Sequence, residues 1–326
     1  MTSKRYTGNI ITDTPTNPTA SAANGVWSLA EAKAFSAAGL WPIFFPSQGR
    51  MLVAGGLGSS VSNAIVSIDI NAGGADAVDF GDLTAARRDA PSCASTTRAC
   101  FGGGSTSGGF AGTNTIDYVT IANAGNASDF GDLTNTPIQP AACNSATIGL
   151  YAGGNANNST YYNTIQKITI GSTGNASDFG DLSDAVRGLC ADSSSTRGLF
   201  FRGYNGSSGR NTVEYVTIAS DGNATDFGDS AVTNTSACAC GSGVRSLVTH
   251  AGGTADVEYF TIASTGNTTD FGDLSRGLAS SSSCASSATL AIFQHANVAN
   301  LTQLTIATTG NGTDYGDMGI IEWYKN

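Results

Sequence analysis

Twelve carboxylates stand in six copies of one tetrad, and repeated acids at fixed spacing are the first place to look for chemistry. The copies are Asp79-Phe80-Gly81-Asp82, Asp129-Phe130-Gly131-Asp132, Asp178-Phe179-Gly180-Asp181, Asp226-Phe227-Gly228-Asp229, Asp270-Phe271-Gly272-Asp273 and Asp314-Tyr315-Gly316-Asp317. Hard cations take clustered carboxylates, so calcium is one use for them. A calcium loop offers several oxygens at alternating positions, whereas here an aromatic separates the first Asp from the Gly. The favoured expectation is architectural. The aromatic serves as an apolar wedge, the Gly allows φ > 0, and the carboxylates accept hydrogen bonds from turn amides.

Other chemistry finds less support. Asp-Phe-Gly also grips magnesium in protein kinases, but six evenly spaced copies without a Lys–Glu pair or catalytic loop do not fit that use. The two histidines, His250 and His295, both end apolar strands and are expected to be ordinary strand-end residues. Glycoside hydrolysis needs a singular carboxylate cluster that breaks the repeat, and none is visible. No catalytic residue, cofactor or metal ligand is therefore assigned. A net charge of −10 argues against nucleic acid, which wants a basic stripe. No apolar run is long enough to cross a membrane, and Met1 to Pro15 holds no stretch like a secretion signal.

The tetrads recur at steps of 50, 49, 48, 44 and 44 residues, a period that means stacked or ring-shaped repeats. Each unit reads as four short strands: a small-residue strand, an apolar one often ending in Gly-Gly, a Tyr-containing one, and one carrying the tetrad. Four antiparallel strands per unit is the arithmetic of a β-propeller blade. The expected fold is all-β, a six-bladed propeller over residues 42–326, with Ile43-Phe44-Phe45 as the first inner strand. Ring closure would involve Tyr315 and Ile320 to Tyr324. Residues 1–41 form an N-terminal arm and docking helix. Ser28-Leu29-Ala30-Glu31 is a capping box, helix formers run to Ala38, and Trp27 and Trp41 flank the helix. So short a helix cannot bury two indoles alone, so both tryptophans are expected to dock on something.

Of seven cysteines, Cys93, Cys143, Cys190, Cys238 and Cys284 recur 46 to 50 residues apart, at one register of the repeat. They are expected to be small, buried and reduced, as in a protein assembled in a reducing cytoplasm. Asn-x-Ser/Thr triplets begin at Asn126, Asn175, Asn223, Asn267 and Asn311; inside the repeat turn they read as turn chemistry.

The apolar strand ending in Gly-Gly, followed by a Tyr-containing strand, resembles kelch repeats of galactose-oxidase-like propellers. The form Gly-Asn-x-Ser/Thr-Asp-Phe-Gly-Asp is similar to repeats in virion proteins of tailed bacteriophages. Gly25-Val26-Trp27-Ser28-Leu29 and Gly39-Leu40-Trp41-Pro42 resemble N-terminal segments of phage tail-fibre proteins. The blades lack the Trp of kelch repeats, and the copper site of galactose oxidase would need more His. The resemblance implies a non-enzymatic virion structural protein, tail-fibre or tail-associated, used for assembly or host-surface binding. Capsid decoration, or a glycan-binding or glycan-active propeller, is the alternative. Its partners would be other virion proteins through the N-terminal segment, itself as a homo-oligomer, and a host-surface glycan or protein.

Two further expectations follow from the repeat. Loops between second and third strands share one face and depart most from the pattern at Ser105 to Thr113, Asn155 to Asn163 and Tyr204 to Arg210. Phe110, Tyr161, Tyr162, Tyr204 and Arg210 are the ligand-suited side chains there. On the opposite face, Arg98, Arg197 and Arg245 recur where second strands begin. At least some of them are expected to pair with the tetrad acids Asp129, Asp178 and Asp226, within a blade or across a blade boundary.

Overall fold

In the computed structural model the chain divides into two compact units, Met1–Pro46 and Ser47–Asn326. The structure describes residues 5–7, 10–12, 50–70, 77–157, 159–234, 238–250, 253–278, 283–295 and 300–317. In the first unit Arg5–Thr7 and Ile10–Thr12 pair antiparallel. The two residues between them, Gly8-Asn9, are of the type that closes two-residue hairpins. The capping box, Trp27, Trp41, Ile43 to Phe45 and Ile320 to Tyr324 lie outside the described residues.

The second unit is a propeller of six antiparallel blades, five of them four-stranded and the first showing three strands among the described residues. Blade one shows Arg50–Ala54, Ala64–Asp69 and Val78–Asp82. Blade two has Ser92–Ala94, Arg98–Gly102, Thr115–Thr120 and Ser128–Asp132. Blade three has Ala141–Asn144, Ile148–Ala152, Thr164–Thr169 and Ser177–Asp181. Blade four has Cys190–Ser193, Arg197–Tyr204, Gly209–Thr217 and Thr225–Asn234. Blade five has Ala239–Gly241, Arg245–Thr249, Asp256–Thr261 and Thr269–Asp273. Blade six has Ser283–Ser286, Leu290–Gln294, Asn300–Thr305 and Thr313–Asp317. Strands follow one another in each sheet in chain order.

Second strands of blades two to six are largely buried, as in Ile148–Ala152, because neighbouring blades cover both faces of the sheet. That removes the polar-apolar alternation a one-sided sheet would show. Each of the six joints between blades holds its own apolar cluster. Phe80 packs with Phe101 at joint one–two, and Phe130 with Tyr151 at two–three. Phe179 packs with Phe200 at three–four, Phe227 with Phe260 at four–five, and Phe271 with Phe293 at five–six. Tyr315 closes the ring, packing with Met51 and Ile68 and donating its hydroxyl to the Asp69 carbonyl at 2.7 Å.

The tetrad is a β-bulge. In blade three Gln166 pairs with Asp178 and Ile165 with Gly180, so Phe179 is the extra residue; the same shift recurs in all six blades. A bulge re-aims one side chain, here driving the aromatic into the joint while the first Asp stays exposed. Gly180 has φ +153°, and a Cβ there would lie 2.3 Å from the Gly222 carbonyl oxygen of the next blade. That contact belongs to a clamp. Gly222 N–H donates to Phe179 O and Ala224 N–H to Asp181 O, each at 2.8 Å, while Asn223 Oδ1 accepts from Asp181 N–H at 3.1 Å. Asn126, Asn175, Asn267 and Asn311 accept the same bond at their joints. The Gly-Asn half of the repeat thus binds the Phe-Gly-Asp half of the preceding blade. The second Asp contributes its backbone to this clamp, and the amide-accepting side chain is the asparagine's.

Candidate binding face and the joints that hold it

Arg98, Arg197 and Arg245 do not pair with the tetrad acids. Each guanidinium lies over a tyrosine of its own blade, 4.2 Å from Tyr118, 4.3 Å from Tyr215 and 4.4 Å from Tyr259. Each donates to a carbonyl of the next blade, Ile170 at 2.9 Å, Ile262 at 2.7 Å and Ile306 at 2.9 Å. Those tyrosines meet Phe130, Phe227 and Phe271 edge-on with centroids 6.0 Å apart. The physical reason is the bulge: it turns the aromatic inward beneath the Tyr–Arg stack and leaves the first Asp at the surface. Where the arginine is absent, at Ile148 and Leu290, the tyrosine is too, replaced by Lys167 and Gln303. Arg50 makes the equivalent bond to Ile121 O at 2.7 Å.

A second polar link runs through the third strands. Thr84 donates its amide and hydroxyl to Asp117, at 3.0 and 2.7 Å. Thr134 does the same to Gln166, at 2.5 and 2.8 Å, and Ser183 N–H donates to Glu214 at 3.0 Å. Both histidines belong to such links. His250 Nε2 lies 3.1 Å from Glu258, and His295 Nε2 lies 2.7 Å from Thr302 Oγ1; both rings are buried. Burial lowers the His295 pKa. Among the described residues no group of three His, Cys, Asp or Glu side chains is placed to hold a metal ion.

The cysteines do not share one register. Cys93, Cys143 and Cys240 occupy one inner-strand position, opposite Cys100, Leu150 and Leu247. In blade four that position holds Asp192, opposite Leu199, and in blade six Ala285. Cys190 and Cys284 stand earlier in their strands, and Cys238 just before its strand. Spacing from cysteine to cysteine misled; counting ten residues from Leu83, Leu133 and Leu182 gives Cys93, Cys143 and Asp192. All seven are free thiols, six of them buried. The sulfurs need small residues opposite: a Cβ on Gly149 would lie 2.4 Å from Cys93 Sγ, and one on Gly198 2.8 Å from Cys143 Sγ.

Asp192 puts a carboxylate where its neighbours have thiols, against Gly241 and Ser246 of blade five. The residue is half-buried, but its Oδ2 is sealed from solvent. Burial pushes its pKa to about 6, partly offset by the Ser246 hydroxyl and the Ser193 amide. An acid raised above its ordinary ~3.9 stabilises the fold while protonated, so that stability is lost as pH rises through 6. Asp192→Asn should therefore be more stable than the native protein at pH 8 by roughly 2–3 kcal/mol, with the advantage gone by pH 4. Melting temperatures of both proteins across that range check this. An advantage independent of pH would mean the ionised carboxylate is not strained in the joint.

The loop face gathers most of the aromatic residues singled out there. Phe110, Tyr161 and Tyr204 come from the loops of blades two, three and four. Phe110 and Tyr204 flank Arg187, whose guanidinium lies 6.0 Å from the Phe110 centroid and 5.5 Å from that of Tyr204. Tyr161 meets Tyr204 edge-on at 6.1 Å. Tyr162 is tied in through its backbone, to Gly154 and Val186. Arg210 pairs with Asp184 at 2.7 Å. Arg187 itself was missed, although its position was informative. It lies in an inter-blade connection on this face, where Arg88 and Ile138 stand in the preceding blades, so no repeat rule fixes it. Arg88 holds the blade-two loop through the carbonyls of Ser107, Gly108 and Gly109 and pairs with Asp89 at 2.5 Å.

Comparison with protein-family models and with curated proteins found no match.

Proposed function

We propose that this protein is a non-enzymatic structural and attachment component of a tailed-phage particle. Residues 1–41 fix it to other virion proteins, and the propeller displays its loop face for host-surface binding. The observation that carries the binding part is the aromatic group around Arg187, drawn from three successive loops that break the repeat. Repeating one clamp at five joints while varying one face is what a display scaffold requires. The histidines, the side chains best suited to acid–base work, are buried in links between strands. Assignment to a phage rests on the Gly-Asn-x-Ser/Thr-Asp-Phe-Gly-Asp repeat and its likeness to virion proteins.

Deleting residues 1–41 should leave a folded propeller that is missing from purified particles while the full chain is present in them. Immunodetection on particles and thermal melting of the truncated protein decide it. Incorporation of the truncated chain at normal occupancy would sink the docking role, and absence of the full chain from particles would sink the virion assignment.

A further inference from the structure

We infer that the cleft between the blade-three and blade-four connections on the loop face binds an anionic sugar, with Arg187 holding its acidic group and Tyr204 carrying its ring. The inference rests on the loop face being the binding surface. The cleft has a volume of about 490 Å³ and is lined by Gln139, Arg187, Gly188, Tyr204, Ser207 and Ser208. That size suits a small ligand or one residue of a polymer.

Local structure explains why a cleft forms here. The second and third strands of blade four run 8 and 9 residues, against 5 and 6 in blade three. Their hairpin therefore rises as a wall. Paired backbone bonds between Arg187 and Tyr204, at 2.9 and 3.1 Å, pin that wall to the connection entering blade four. Gly206, at φ +95°, brings the hairpin tip onto the ring of Tyr161, where a Cβ would sit 3.0 Å from the ring edge. Tyr161 and the bond from Tyr204 Oη to Gly206 O at 2.9 Å hold the Tyr204 ring in place.

The polar groups then specify the ligand. Arg187 Nη1 donates to Gln139 Oε1 at 2.8 Å, which orients the guanidinium plane. Ion pairs on this face join Arg88 to Asp89 and Arg210 to Asp184. Among the described residues none takes Arg187, and its Nε is buried without a hydrogen-bond partner. The one carboxylate whose charge reaches it, Asp89, is already paired with Arg88, so on a protein of net charge −10 this half-buried guanidinium has no ion pair of its own among the described residues. Its planar fork suits a carboxylate, sulfate or phosphate oxygen pair. Ser207 and Ser208 are fixed by their backbone N–H groups, which donate to Asn205 Oδ1 at 3.1 and 3.0 Å. They offer hydroxyls beside an aromatic ring, a set that meets sugar hydroxyls and the apolar face of a pyranose together.

The test is calorimetric titration of the full chain with glucuronate, glucose and acetate. Glucuronate should bind at least about tenfold more tightly than either glucose or acetate, the worth of one charge-assisted bond. Arg187→Gln should reduce glucuronate to the level of glucose, and Tyr204→Ala should weaken both sugars, with melting temperatures confirming the fold. If Arg187→Gln fails to fold, Ser207→Ala with Ser208→Ala carries the test and should weaken both sugars. Equal binding of glucose and glucuronate, or undiminished binding in these variants, overturns the inference. So does the absence of saturable sugar binding. Incorporation into particles and adsorption to hosts are measured separately, so the virion role can stand when the sugar assignment falls.

Discussion

Phe179→Ala is expected to cost about 3–5 kcal/mol, the usual range for a buried Phe, and to lower the melting temperature on the order of 10 °C. Phe179 is buried in the joint between blades three and four, among Leu150, Ile165, Phe200, Val216 and Ile218. As the bulged residue of its strand it makes no paired ladder contact that a smaller residue could keep in its place. The walls are two sheets whose separation is set by clamp bonds on either side of it, so the space cannot collapse. Phe179→Tyr is the informative control, because Tyr315 occupies the same position at the closing joint. There the hydroxyl finds the Asp69 carbonyl. A melting temperature of Phe179→Ala close to native would show that the clamp, not the wedge, holds neighbouring blades together.

The blade count, strand order and burial of the tetrad aromatics were legible because a period survives in one dimension. Six tetrads mean six blades whatever surrounds them. The partners of the recurring arginines were not legible, because Arg98, Arg197 and Arg245 bond to backbone carbonyls, and a carbonyl has no letter in a sequence. The tetrad acids drew the eye instead. Yet the Arg–Tyr association of blades two to six was visible without any structure, since Ile148 and Leu290 coincide with Lys167 and Gln303, while Arg50 of blade one stands with Ser67. The cysteine register failed because blade four puts Asp192 where a thiol was sought. On the loop face the aromatics were found by their departure from the repeat, whereas Arg187 was hidden in a connecting segment that looked like linker.

Asp117→Ala is the second large effect, with an expected loss of about 3–5 kcal/mol. Asp117 and Arg87 are both fully buried, with Oδ2 and Nη2 2.9 Å apart. Arg87 also donates to the carbonyls of Thr115 at 3.3 Å and Phe101 at 3.2 Å. Burial pulls the Arg87 pKa down while Asp117 holds it up, so the pair is the guanidinium's main compensation. Removing the carboxylate strands a charge and frees the Thr84 amide and hydroxyl as well. Removing both charges is a different matter, and the molecule contains the template. At the next joint Gln166 accepts the same two bonds from Thr134, with Pro137 in place of Arg87. Arg87→Met with Asp117→Gln keeps the volume and a neutral acceptor, and should recover most of the loss, because apolar replacement of a buried pair is often neutral. Equilibrium denaturation of the single and double variants separates the causes. If the double variant is as unstable as Asp117→Ala, the damage comes from lost packing and hydrogen bonds at the joint rather than from the stranded guanidinium.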